Sequence, residues 1–347
     1  LRVRFSILDN RMKKKTSIRA LLVFAIIGGV VVTASTMWYL DRTGLVEIHA
    51  ATPNKGGWLT SNIEATVGEP LRVRLISDDV LHGFAIGKRD FTPVDVLPGK
   101  ATEVTLTFDQ PGVYTFFCTR WCGADHWRMR GTITVSGDNP ASTAPSAPPL
   151  YVELGIDLDA PHELHNLKFD GRPSTKSGAA LGIPVSAEFL NLDYYRSHSP
   201  QQTWDDLRGD GIAETLTDDQ LWDLVAWVWT QNSTSEALAT GAMLYQRDCA
   251  ACHGVNGAGD GIYGAKDNSG ANDHAQTESG HSTEIPTNFT DPIQMLGASP
   301  ALLQGKILRG GMGTGMPSWG LIYTEEQTWA LVDYLWTFQF QYTENEK

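Results

Sequence analysis

The sequence predicts a multidomain protein: one N-terminal transmembrane helix, an all-β sandwich, then α-helical domains present in two copies, the first lacking cysteines. Three observations predict it. An uncharged run at 20–40 follows a basic flank, residues 45–136 alternate apolar and polar positions, and from residue 150 the pattern becomes helical and repeats itself. At 347 residues the chain exceeds the ~250 at which a single hydrophobic core stops growing, so two or three domains are expected.

The flank, residues 1–19, holds Arg2, Arg4, Arg11, Lys13, Lys14, Lys15 and Arg19 against one acid, Asp9. A membrane helix needs about 20 apolar residues and basic residues stay cytoplasmic. Residues 20–40 are therefore expected to span a bacterial cytoplasmic membrane once, N-terminus inside, with everything after Asp41 on the outer face. A cleaved signal peptide would have an apolar region of only ~7–15 residues ending in a small-x-small site, which the run lacks. Residues 1–11 precede Met12 and its normal basic flank, and read as a misplaced start. The net charge is −13 despite that flank, so the exported part is strongly acidic; this argues against nucleic acid and for a basic partner.

In 45–136, "LRVRLIS" alternates Leu71, Val73 and Leu75 with arginines, and "TEVTLTF" alternates Val104, Leu106 and Phe108 with polar residues. That is the period of half-buried strands, and the breaks at "GEP", "LPGK" and "QPG" predict a small antiparallel sandwich. Residues 137–149, "GDNPASTAPSAPP", are too small and proline-rich to build a core and read as a linker.

Residues 150–232 and 233–347 read as two copies of one helical domain. "LTDDQLWDLVAWVWT" at 216–230 matches "YTEEQTWALVDYLWT" at 323–337, and "IPVSAEF" and "SPQQTWDDLRGD" echo "IPTNFTD" and "SPALLQGKILRGG". Each matching segment opens with a capping box, Thr217 with Gln220 and Thr324 with Gln327. Leu221, Leu224, Val225 and Val228 form a buried helical stripe.

Only the second copy has cysteines. "CAACHG" at 249–254 has the spacing of c-type haem attachment, two thiols for thioether bonds and an adjacent histidine for the iron. Between a preceding helix and the Met-Pro loop "GMGTGMPSWG", this motif makes residues 235–340 resemble class I cytochrome c. The resemblance implies one haem bound covalently by Cys249 and Cys252, with His253 as proximal ligand and the Pro286 carbonyl accepting its other ring proton. Gly241 and Tyr245 would pack the first helix on the last near Tyr334. A thioether sixth ligand suits electron transfer, and Met316 is preferred to Met312 because a proline follows it. The first copy, without cysteine, is expected to be a haemless relic. His162, His165 and His198 read as surface or structural residues, and His274 and His281 as part of a solvated insert.

The cysteines of the β region lie in the pattern H-x35-C-x3-C-x3-H-x2-M, from His82 through Cys118, Cys122 and His126 to Met129. Soft sulfur with imidazole selects copper. A disulfide would ignore the histidines and the methionine, a single blue copper would ignore Cys122, and a thioredoxin-like copper chaperone needs a βαβ core. The stretch resembles the binuclear copper (CuA) cupredoxin domain of cytochrome c oxidase subunit II. The resemblance implies that Cys118 and Cys122 bridge two coppers, that His82 and His126 bind one each, and that Met129 and the Arg120 carbonyl are weak ligands. Arg120 stands where many family members have glutamate, which puts the family's magnesium site in doubt. Their aromatic electron-entry patch is also missing, leaving Trp58 and Trp121 as candidates.

Anchor, copper domain and cytochrome c in that order imply a non-catalytic, electron-transfer subunit of a cytochrome c oxidase-type complex. Electrons would come from a basic soluble or membrane-bound donor, through haem and copper, to a membrane-embedded catalytic subunit I that reduces oxygen. The alternatives are the equivalent subunit of a nitric oxide reductase and a stand-alone membrane-tethered carrier. Nitrous oxide reductase would need a large further domain for which the chain has no room.

Overall fold

The computed structural model describes residues 44–89, 91–123, 126–137, 147–161, 164, 171–211, 214–262, 285–311 and 315–342. The expected anchor at 20–40, most of the linker, His162, His165, His274, His281 and Met312 lie outside the described residues. Among the described residues no helix is long and apolar enough to cross a membrane.

Eight strands form the N-terminal unit: β1 Leu45–Ala50, β2 Asn62–Thr66, β3 Leu71–Ser77, β4 His82–Ile86, β5 Val94–Val96, β6 Thr102–Leu106, β7 Gly112–Phe117 and β8 Arg130–Ser136. They make a three-stranded sheet in the order β1-β3-β6 and a five-stranded sheet in the order β2-β8-β7-β4-β5. The expectation of an antiparallel sandwich is corrected here: β1 pairs parallel with β3, and β2 parallel with β8. Both parallel pairs join strands separated by a crossover, which local alternation cannot specify. The alternation itself holds in β3, where Leu71, Val73 and Leu75 are buried. These close on Phe84, Phe116 and Ile133 from other strands and on Phe108 just beyond β6. Each such side chain contributes roughly 1.5–3 kcal/mol by leaving water.

The helical region contains α1 Leu150–Glu153, α2 Thr175–Ala180, α3 Leu192–Ser197, α4 Pro200–Gly209, α5 Asp218–Thr230, α6 Ser235–Asp248, α7 Ala250–His253, α8 Pro292–Met295, α9 Pro300–Arg309 and α10 Glu325–Trp336. Both capping boxes form, Thr217 with Gln220 at α5 and Thr324 with Gln327 at α10. Leu221, Leu224, Val225 and Val228 are all buried.

The repeat is visible at atomic detail. A Cβ on Gly178 in α2 would lie 2.0 Å from the Asp223 carbonyl oxygen and 2.8 Å from Cβ of Trp227 in α5. A Cβ on Gly241 in α6 would lie 2.0 Å from the Ala330 carbonyl oxygen and 2.7 Å from Cβ of Tyr334 in α10. The repeat register aligns Asp223 with Ala330 and Trp227 with Tyr334, so the same glycine contact brings two helices together twice. Tyr245, one turn beyond Gly241, lies 5.3 Å from Tyr334 between ring centroids. Ser199 and Ser299 likewise cap α4 and α9, each with proline at the first helical position.

The sheet and the helices share a boundary. Ala85, Phe117 and Arg130 are cross-strand partners on β4, β7 and β8. Ala85 and Phe117 join the hydrophobic core of the helical region.

Candidate metal centre and cysteine pairs

The sulfurs and imidazoles of the pattern lie on β4 and on the connection from β7 to β8. His82 opens β4, Cys118 follows β7, His126 begins a 3-10 turn at His126–Arg128, and Met129 precedes β8. The ladder holds the ends together, since the Cys118 N–H donates to the Met129 carbonyl at 3.1 Å. The indole N–H of Trp58 donates to the same carbonyl at 3.1 Å.

Ligand atoms of His82, Cys118 and Cys122 all lie within 4.8 Å of one another. The Cys118 Sγ is 3.9 Å from Nδ1 of His82 and 3.2 Å from the Arg120 carbonyl oxygen. The Cys122 Sγ is 3.6 Å from Nδ1 of His126 and 3.2 Å from the Met129 sulfur. The five residues of the sequence pattern and the Arg120 carbonyl implied by the resemblance thus converge, and each cysteine has its own imidazole. The four cysteines of the chain are free thiols, so neither pair is a disulfide.

Sequence reasoning missed the residue that orients His82. Asp79 Oδ1 lies 2.9 Å from Nε2 of His82, leaving Nδ1 directed at Cys118. Burial alone would raise the Asp79 carboxyl, but hydrogen bonds from Thr52, His82 and the Val80 N–H hold it well below the usual carboxylate range. Burial also works against a charged His82 ring, yet its bonds to Cys118 and Asp79 outweigh this and raise its pKa. A thiol bond from Cys122, helped by His126 and His82, pulls Cys118 far below a normal thiol. The same neighbour and burial push Cys122 up. Of the two thiols, Cys118 is therefore the one whose surroundings favour the thiolate.

The close approach of strand β4 to the cysteine loop depends on Gly83. Its N–H donates to Cys118 Sγ at 3.4 Å, and a Cβ there would fall 2.1 Å from Oγ1 of Thr119 and 3.1 Å from the Thr119 backbone nitrogen. The Arg120 side chain turns outward to a two-bond ion pair with Asp95, at 2.7 and 3.2 Å.

The two electron-entry candidates separate. Trp58 takes a packing role: it is only 4% exposed, set edge-on to Phe84 and Phe116. Trp121 is 41% exposed, its ring 5.3 Å from that of His126.

The second cysteine pair has the opposite chemistry. Cys249 caps α6 and Cys252 lies in α7, and burial raises both thiols above their normal range. Neutral thiols in an apolar setting are poor metal ligands. The adjacent His253 stacks on Phe289 with centroids 4.5 Å apart, and its Nδ1 donates to the Thr287 carbonyl at 3.1 Å. The expected acceptor, Pro286, is corrected to the next carbonyl; that of Pro286 faces Gly259 instead, 2.7 Å from where a Cβ would stand. Burial lowers the His253 pKa and favours the neutral ring, and its Nδ1 bond to Thr287 leaves Nε2 without that partner. Met316 packs half-buried against the helical core, its carbonyl accepting from Gly311 at 3.1 Å. In the first copy, His198 is structural: it stacks on Tyr194 with centroids 4.0 Å apart.

Comparison with known proteins agrees with this division. Residues 60–136 match the family described as cytochrome c oxidase subunit II, periplasmic domain, and residues 238–339 match cytochrome c. A cytochrome c oxidase subunit 2 of Thermus thermophilus is 38% identical over 79 residues, covering 23% of this chain and 58% of the relative. A second, from a named strain of the same species, is 38% identical over 79 residues, covering 23% of this chain and 46% of the relative. The chain thus spans about half the length of the curated relatives it matches. A chain from the cryo-EM structure of a heme-copper terminal oxidase dimer aligns at 27% identity and TM-score 0.22, over 26% of this chain and 60% of that one. The chain is thus similar to the periplasmic domain of cytochrome c oxidase subunit II over residues 60–136 and to cytochrome c over residues 238–339.

Proposed function

We propose that this chain is the electron-transfer subunit II of a membrane haem-copper terminal oxidase, holding a binuclear copper centre and one covalent haem. The observation that carries the copper reading is the pairing of each cysteine with its own imidazole, Cys118 with His82 and Cys122 with His126. A single copper would leave one thiol and one imidazole without a role in a buried pocket. The donor set fits: two soft sulfurs, two imidazoles, a thioether and a carbonyl, with the surroundings of Cys118 favouring its thiolate form.

Bound there, the two centres supply one-electron carriage; the chain's own residues hold and shape them. Asp79 fixes the His82 ring, Trp58 and the β-ladder hold the Met129 backbone, and Gly83 lets the cysteine loop close. On the haem side Thr287 fixes the His253 ring, and Met316 would supply the second axial donor to a bound haem. Ligands held on strand ends and helix termini rearrange little when the charge of a bound centre changes, which suits a relay. No described residue is offered as a substrate site. The exposed Trp121 beside His126 and the acidic exterior are the surfaces on which a donor or the catalytic subunit would dock.

The reading is tested by isolating the full chain from its native membrane without dissociating its partners. Co-isolation with a haem-containing catalytic subunit, two coppers per covalent haem here, and oxygen uptake lost in Cys122→Ser would support it. Isolation alone would favour the tethered carrier, and reduction of nitric oxide without oxygen uptake would favour the reductase.

A further inference from the structure

The β domain and the cytochrome c domain touch through a small set of specific contacts. Arg130 Nη1 donates to the Ser318 carbonyl at 2.7 Å, and its guanidinium lies 5.6 Å from the Trp319 ring. Trp319 stacks on Tyr323, whose hydroxyl donates to Asp248, itself paired with Arg247 at 2.7 Å. In the turn after β4, the Lys88 N–H donates to the Ile322 carbonyl at 2.7 Å. Gly87 permits that approach, because a Cβ there would lie 2.6 Å from the Leu321 carbonyl oxygen and 2.8 Å from Cα of Ile322.

The chain positions on either side of these contacts are the proposed ligands. Arg130 follows Met129 directly, and its strand partner Phe117 precedes Cys118. Ser318 is two residues beyond Met316, and the loop holding both is tied back by Ser318 Oγ to the Leu308 carbonyl at 2.7 Å. A short covalent route from Met316 through Pro317 to Ser318 therefore meets, across one charge-assisted hydrogen bond, a one-residue route from Arg130 to Met129.

We propose that Arg130 is a positioning residue: with the Gly87–Lys88 edge it latches loop 315–323 of the cytochrome c domain onto the β domain and couples the two redox centres within one chain. One electron crosses per event, lost on the haem side and gained on the copper side, and no bond forms or breaks. The ligand assignments rest on the function proposed above; the latch itself rests only on the contacts between the two domains.

The test uses the full chain and three variants, Arg130→Ala, Arg130→Lys and Gly87→Ala, with two readouts. Amide exchange at Lys88 reports docking without any metal or haem, and flash-induced transfer between the centres reports coupling in the loaded chain. Loss of a hydrogen bond to a charged group should speed Lys88 exchange at least ~10-fold in Arg130→Ala, with exchange in β3 unchanged. Gly87→Ala should do the same by wedging the edge apart, Arg130→Lys should be intermediate, and transfer should slow at least ~10-fold in the two opened variants.

Unchanged Lys88 protection in both Arg130→Ala and Gly87→Ala would overturn the latch. Faster exchange with unchanged transfer would overturn its role in coupling. If wild-type chain bound neither copper nor haem, the functional reading would fail while the exchange result still judged the docking contact.

Discussion

Asp79 Oδ1 lies 2.9 Å from Nε2 of His82, a residue with no solvent exposure, and so presents the opposite ring nitrogen to Cys118. Thr52 holds Asp79 in turn through its N–H at 2.9 Å and its hydroxyl at 3.0 Å. A carboxylate behind a ligating histidine fixes its tautomer and raises its basicity, and loss of such a partner typically costs 10–100-fold in metal affinity.

Asp79→Ala is therefore expected to weaken copper binding by roughly that 10–100-fold while the β domain stays folded. Competitive copper titration alongside far-ultraviolet circular dichroism checks both halves. Affinity within threefold of wild type would remove Asp79 from the site.

Gly83→Ala should harm the same site by a different route. Its Cβ would meet the Thr119 hydroxyl at 2.1 Å and the Thr119 backbone at 3.1 Å, so the cysteine loop must shift. Overpacking of this kind costs about 1–3 kcal/mol, and here it falls on the two strands that carry His82 and Cys118. Lower copper stoichiometry together with a lower melting temperature is the expected pair of results.

These two residues mark where the sequence was legible and where it was not. Cys118, Cys122, His126 and Met129 lie within one loop, so their spacing alone exposed them, and His82 stood out as a histidine among apolar strand residues. Asp79 is one of two adjacent aspartates, and only the fold of the 77–82 turn decides which faces the ring. The Thr287 acceptor differs by one residue from the expected Pro286, a distinction set by loop geometry. The parallel pairings of β1 with β3 and β2 with β8, and the contact of Arg130 with Ser318, join distant segments that carry no local signal. The helical repeat was readable because capping boxes and apolar stripes are local; the shared glycine contact was not, since Gly178 lies outside the matched segments.

The paired contact makes a symmetric prediction. Gly241→Ala and Gly178→Ala should each destabilise their helix pair by about 1–3 kcal/mol, because the new Cβ meets a backbone carbonyl at 2.0 Å. Urea unfolding of the two variants measures this. Neutral substitutions would mean that the helices part without cost.

A buried carboxyl joins the two helical copies and gives a pH signature. Tyr195 donates to Asp333 Oδ1 at 2.6 Å, and burial pushes the Asp333 pKa up to about 7 against the Tyr195 hydrogen bond and the Arg196 charge. The folded state then binds a proton that the unfolded chain releases above its ordinary value of 3.8. This contribution is complete at low pH and is lost as pH rises through about 4 to 7, by the linkage between proton binding and folding. Asp333→Asn should remove that fall, seen as a flatter melting temperature against pH than in the wild type. An unchanged profile would show that Asp333 does not titrate in this range.

At the haem side, Met316→Ala should lower the reduction potential of the bound haem, and Met312→Ala should leave it unchanged, because a thioether axial ligand raises the potential. Redox titration followed by visible absorbance separates them. The reverse result would assign the ligand to Met312.

The central claim is that Cys118 and Cys122 hold two coppers as one unit. Electron paramagnetic resonance of the oxidised, copper-loaded full chain tests it most directly, with Cys122→Ser as control. The account predicts hyperfine structure from one unpaired electron shared over two equivalent coppers, lost in the variant; a single-copper spectrum that survives Cys122→Ser would contradict it.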